Sequence, residues 1–241
     1  MRVPKRLAKN PIIDAIAEVR FSSSIPNDAV IGLVYSKLQD VFGKPEDQPI
    51  LQVPAALRES DPNLKYQPCY RFTKPGNVLL VGPHAVALST YPYSDWSNAS
   101  PLLGDVLGRL HEARLFEKIE RIGLRYVNFF ENINILDHST LVLEVRKTSI
   151  ADQSVVLRTE RGSDVFKVIT QISNRAVAQV AGISKNGSIL DLDIVKEDLT
   201  IAQDSLPSSL MDLFVAANKV ADFEFFNLLA DDFIATFGPE Y

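Results

Sequence analysis

The sequence predicts an α+β protein in which a mainly antiparallel, curved sheet of about ten strands packs on three helical regions. Three observations predict it. Apolar residues recur with period two in many short runs, as half-buried strands require. Gly, Pro and Asn clusters separate the runs as hairpin turns do, and no regular β-α-β alternation calls for a parallel sheet. Three longer stretches carry apolar residues at helical spacing instead.

The opening segment 12–21 (IIDAIAEVRF) sets Ile13, Ala15, Ala17, Val19 and Phe21 on one face and Asp14, Glu18 and Arg20 on the other. That is a half-buried strand. Asn27 or Asp28 is placed to cap a helix over 28–43, whose stripe is Val30, Ile31, Val34, Leu38, Val41 and Phe42 and whose stop is Gly43 with Pro45. Residues 46–65, rich in Pro, Asp and Glu, predict a short strand at 50–53 and then a loop. Three short strands follow at 66–72, 78–81 and 85–90, parted by Pro75-Gly76-Asn77 and Gly82-Pro83. Ser97 or Ser100 can cap a second helix over 100–116, with Pro101 in its first turn and Leu102, Leu103, Val106, Leu107, Leu110 and Leu115 as its stripe. Gly104 and Gly108 weaken that helix by about 1 kcal/mol each, so it must be packed to hold.

Residues 119–130 predict a long strand with Ile122, Leu124 and Tyr126 on one face. Strands at 140–147, 155–160 and 165–172 follow, the last two joined at Arg161-Gly162-Ser163. A further pair, 176–184 and 188–195, is expected to meet across Asn186-Gly187, a dipeptide that tolerates the positive φ angles of a type I′ turn. Ser205 and Pro207 open a C-terminal helical region, expected to bend near Asp222. Its stripe runs through Leu210, Leu213, Phe214, Ala217, Val220 and Ala221, then Phe226, Leu229, Phe233 and Phe237. A basic arm (1–10) thus precedes one α+β domain (11–241). The halves 11–117 and 118–241 each run from a long strand through a meander to a helix, and a weak internal duplication is one reading of that pattern.

At 241 residues the chain can bury roughly 70% of its unfolded surface without staples. Its single cysteine, Cys69, leaves no intrachain disulfide, as in a reducing compartment. No apolar run reaches the ~18 residues of a membrane span, and the N-terminus has no apolar core of a signal sequence. A cytoplasmic protein with no membrane association is the expectation. The net charge of −5 argues against a general nucleic-acid coat protein. Within it, Arg2, Lys5, Arg6 and Lys9 concentrate positive charge in the first ten residues, as either a solvated arm or a phosphate-contacting one.

Three stretches, NPIIDAIAEVRF, YPYSDW and RIGLRYVN, resemble a sporadically distributed bacterial and archaeal family of unknown function. Members open with a Pro-Ile-Val-Glu-Ala strand ending in Arg-Phe, then carry a Tyr-x-x-Trp element and Arg-x-Gly-Leu-Arg-Tyr-x-Asn. Here those are residues 11–21, Tyr93 to Trp96 and Arg121 to Asn128. The sequence departs from the pattern at Asp14, where Glu is expected, and at Ser94-Asp95, where Gly is common before the Trp. The resemblance brings no activity. It implies an accessory role, since such genes sometimes lie near CRISPR or other defence genes.

Arg121 and Arg125 lie four apart on a strand, sharing a face over about 13 Å with Gly123 between them. Their guanidinium forks suit carboxylate or phosphate, and an open face would make them a positive groove; cross-strand pairing with Asp or Glu is the alternative. Tyr91, Tyr93 and Trp96 cluster around Pro92, where they can anchor a partner, stack a base or plug the sheet's end. With Asn128 these are the candidate binding residues. Asp191, Asp193, Glu197 and Asp198 read as the wet face of a strand, and His84, His111 and His138 show no ligand spacing. No phosphate loop, dinucleotide fingerprint or nucleophile elbow occurs, so no catalytic residue, metal or cofactor is assigned. A non-catalytic binding or adaptor protein acting by protein–protein contact, self-association included, is the leading expectation. A nucleic-acid or nucleotide binder using the arm with Arg121 and Arg125, and a hydrolase of scattered residues, stay open.

Overall fold

The computed structural model describes residues 3–180 and 182–241. In chain order its first half holds β1 (Arg6–Leu7), β2 (Ile12–Ser22), α1 (Asn27–Leu38), β3 (Glu46–Asp47), α2 (Ala55–Ser60), β4 (Tyr70–Lys74), β5 (Asn77–Val81), β6 (Ala85–Thr90) and α3 (Trp96–Glu112). The second half holds β7 (Lys118–Glu131), β8 (Glu144–Val145), β9 (Thr148–Ser149), β10 (Val156–Ser163), β11 (Phe166–Val180), β12 (Ile183–Glu197), α4 (Leu206–Leu228), α5 (Asp231–Ala235) and β13 (Pro239–Glu240).

Nine strands form one antiparallel sheet in the order β10-β11-β12-β7-β2-β6-β5-β4-β3, so the chain is α+β as its patterning predicts. The order is the same in both halves. Each puts its opening strand (β2 or β7) at the centre, its last strand (β6 or β12) beside it and its meander outward, then closes with α3 or α4.

Period-two alternation decides which face is covered. Ala15, Ala17, Val19 and Phe21 of β2 and Ile122, Leu124 and Tyr126 of β7 are buried beneath α1, α3 and α4. The helices contribute Val34 and Leu38, Leu107 and Leu110, and Leu210 and Phe214. Each such side chain gains roughly 1.5–3 kcal/mol on burial, and a slip of one residue would turn Glu18 and Arg121 into that layer. The register is therefore firmly held. The opposite face of the sheet carries none of these three helices.

Several local expectations are corrected. The most informative is Asn186-Gly187, which makes no turn: β12 runs straight through it, and the chain reverses between Val180 and Ile183, where Gly182 has φ 80°. Gly187 is needed for another reason. A Cβ there would overlap the Phe130 carbonyl oxygen of β7, so only glycine lets the two backbones meet. Likewise β10 continues through Arg161-Gly162-Ser163 and turns at Asp164, which takes the left-handed conformation with φ 51°. The alternation at 140–147 yields only the two-residue β8, which pairs with β9 and not with the main sheet. Leu141 and Leu143 pack on a second apolar cluster, while Arg146 and Lys147 turn the β8–β9 ribbon.

Prolines start helices where a strand and a loop are expected, and a carboxylate cap starts α3 earlier than its serines predict. Pro49 opens a 3-10 helix at Pro49–Gln52 and Pro54 precedes α2, replacing the strand at 50–53 and part of the loop. In α3 the cap is Asp95, whose carboxylate accepts from the Asn98 N–H (2.9 Å) and the Ser97 hydroxyl (2.6 Å). That cap starts the helix at Trp96, leaves Pro101 inside it, and the helix ends at Glu112. α1 ends at Leu38, because tight turns then carry Phe42 back into the core, and Asn27 donates to Glu59 rather than capping. The strand expected at 66–72 begins only at Tyr70, the residues before it forming a loop. α4 runs unbroken through Asp222 and stops at Leu228; Leu229 is extended and bridges Ser139.

Candidate functional site

The six candidate residues divide between the two sides of the sheet. On the helix-free side, β2 and β7 pair so that Arg20 faces Arg121, Glu18 faces Gly123 and Ile16 faces Arg125. Arg121 is bonded to Glu18 and, at 3.1 Å, to Asp193 of β12. Gly123 makes this possible: a Cβ would come within 3.0 Å of one Arg121 nitrogen and 3.3 Å of Asp193, so the missing side chain is the space the guanidinium crosses. Arg125 grips Asp191 with two bonds (2.8 and 2.5 Å), and Arg20 donates to Glu18 (2.7 Å). Burial pushes the Asp193 carboxyl above its ordinary range despite Arg121, and burial does the same to Asp14, which accepts from Ser89 at 2.6 Å. Arg20, Arg121 and Arg125 thus meet Asp14, Glu18, Asp191 and Asp193. The centre of this face is an ion network of three arginines and four carboxyl groups, with no positive groove.

The other side holds a cleft. Tyr93, Trp96 and Asn128 line it together with Tyr126 of β7 and Asn218 and Asp222 of α4, around a cavity of about 110 Å³. Tyr91 does not join them and is exposed. The N-terminal segment straps the mouth. Lys5, Ala8 and Lys9 donate backbone N–H bonds to Glu240, Gly238 and Phe237 (2.7, 3.0 and 3.0 Å), Asn10 bonds the Ser94 carbonyl (3.0 Å), and Arg6 pairs with Glu240 (2.9 Å). From Lys5 on, the backbone of the basic arm is docked while the Lys5, Arg6 and Lys9 side chains stay exposed; Arg2 lies outside the described residues.

Inside the cleft the polar groups form a directed chain. The Tyr126 hydroxyl donates to Asn218 Oδ1 (2.6 Å), which obliges the Tyr93 hydroxyl to donate to Tyr126 (3.1 Å), and Asn218 Nδ2 donates to Asp222 (3.1 Å). Burial pushes the Asp222 carboxyl up to about 6, and pushes both tyrosine hydroxyls upward so that they stay neutral. Asn128 is 1% exposed; its amide donates to the Leu190 and Tyr126 carbonyls (3.1 and 3.4 Å), and its Oδ1 has no hydrogen-bond partner.

Asn218 and Asp222 escape a reading of the sequence. They sit four apart, one position round from the buried stripe of α4, and that spacing of polar residues beside a stripe is the signal available. Cys69 is buried beside Arg58, whose guanidinium donates to its sulfur at 2.7 Å, yet burial dominates and raises the thiol above its ordinary range. Among the described residues no three His, Cys, Asp or Glu side chains converge as metal ligands, and no helix is long and apolar enough to cross a membrane.

Fold and surfaces define an α+β protein with a two-half antiparallel sheet, helices on one face and an ion network on the other. No protein-family model matches the chain, and no curated protein matches it.

Proposed function

We propose that this is a non-catalytic binding protein that docks a protein partner on the helix-free face of its sheet. One observation carries the reading. A single row across six strands presents Ile169, Asp193, Arg125, Ile16, Ser89 and Val78 in turn, about 24 Å of surface at the usual strand spacing. The row holds three apolar side chains, Ile169, Ile16 and Val78, and one arginine, Arg125, and apolar surface with Arg is a feature of protein interfaces. Because Arg121 and Arg125 already hold carboxylates, a partner can cover them without burying an unpaired charge. A nucleic acid would instead need cations free to neutralise phosphates. An accessory role in a defence-linked or mobile gene cluster, exercised in the cytoplasm, belongs to the same proposal.

The test joins Ile16→Lys with Ile169→Lys and uses Val215→Lys, on the exposed side of α4, as the control. Complexes are isolated from the native host, and the purified protein is sedimented alone to reveal self-association. The partner should be lost with the face variant and kept with the control. Equal retention by both would overturn the proposal. So would affinity for DNA or RNA falling steeply with salt, or metal-dependent turnover of nucleic acid or peptide.

A further inference from the structure

We infer that the cleft beneath the N-terminal strap is a second binding site, built for a primary ammonium group carried on a short apolar stem. It lies on the helical side of the sheet and does not depend on the docking face. The hydrogen-bond inventory leads to the ligand. In the chain Tyr93 to Tyr126 to Asn218 to Asp222 every internal bond points toward the carboxylate, so each hydroxyl proton is already used. The acceptors left unused are the second oxygen of Asp222, the lone pairs of the Tyr93 hydroxyl, and Asn128 Oδ1, which is buried in the wall; Lys5, Arg6 and Trp96 are the donors that also line the cleft.

Asn128 is the decisive residue. Two backbone carbonyls hold its amide nitrogen, which fixes the orientation of the group and leaves its oxygen buried without a donor. A buried acceptor without a partner is costly, and a donor entering the cavity relieves it. An ammonium brings three donors and a positive charge, matching both the acceptors and the Asp222 carboxylate. A neutral alcohol brings one donor and no charge, and a carboxylate brings none. One part of the wall is apolar, with Leu192, Phe225 and Phe226, and suits an alkyl stem, while Lys5, Arg6, Asn10 and Asp95 make the rest of the lining polar. About 110 Å³ admits an ammonium and a few carbons and is too small for a nucleotide.

This chemistry has three sources: a free alkylamine, an amino-acid zwitterion whose carboxylate reaches the rim at Lys5, and a lysine side chain of a peptide. Calorimetric titration of the full-length protein at pH 7.5 (a chosen working pH near neutrality, above the Asp222 titration) separates them. The probes are n-butylammonium, 5-aminopentanoate and N-acetyl-lysine amide, with n-butanol and butyrate as controls. At least one amine should bind and neither control should. The tightest of the three names the source. Asp222→Asn keeps the side-chain shape and should weaken that amine roughly tenfold or more; Asn128→Leu should do the same, its fold checked by melting. Ile16→Lys with Ile169→Lys should leave amine binding unchanged, which separates this site from the docking face. No binding by any amine, binding of butanol or butyrate at the amines' strength, or undiminished binding by Asp222→Asn would overturn the inference.

Discussion

Replacing Asp222 with asparagine preserves the outline of the side chain and removes its charge, which isolates the electrostatic cost of placing a carboxylate in the cleft. Burial moves this carboxyl from an ordinary 3.8 to about 6, against the opposing bond from Asn218. Each tenfold change in proton affinity is worth about 1.4 kcal/mol, so the displacement amounts to about 3 kcal/mol. The sign follows from linkage. The native state holds this proton more tightly than the unfolded chain, so the associated stability is complete below the unfolded value. It is lost as pH rises through the folded one. Urea unfolding of both proteins from pH 4 to pH 8 should give curves that coincide at the acid end. They should diverge through pH 4–6, with the variant ahead by up to about 3 kcal/mol above pH 6.5. Asp14 and Asp193, also raised by burial, are common to both proteins and cancel in the difference. A difference that stays flat with pH would refute the placement of Asp222 as a desolvated carboxylate.

Arg121→Ala should destabilise the fold by about 3 kcal/mol, because it strands two partly buried carboxylates, Glu18 and Asp193, whereas Arg125→Ala, whose side chain is 47% exposed and which strands only Asp191, should cost less, about 1–2 kcal/mol. Equal losses in a denaturant melt would show that the two pairs are not differently buried. Gly187→Ala should cost about 3 kcal/mol by forcing β12 away from the Phe130 carbonyl, while Asn186→Ala stays within about 0.5 kcal/mol. A larger loss at Asn186 than at Gly187 would restore the turn that the dipeptide suggests.

Much of the architecture is local information. Period-two runs at 12–21 and 119–130 declare both the strands and the face each buries, because alternation is a property of the pleat and needs no knowledge of the partner strand. The same rule places Arg121 and Arg125 away from the core. Their partners are not local: Glu18 lies on β2 and Asp191 and Asp193 on β12, and only the sheet order brings them within bonding distance. Gly187 shows the limit most clearly. Asn-Gly has the conformational freedom of a turn, but the backbone of β7 claims the space that only glycine leaves open, and a steric demand from a distant strand leaves no mark in its neighbours. The cleft was legible only in pieces. Tyr93, Trp96 and Asn128 stand out in their motifs, while Asp222 reads as a place for α4 to bend. It becomes a site residue because α4 crosses the end of β7 and the N-terminal strap closes over both, and burial by three separate segments is a fact of tertiary structure alone.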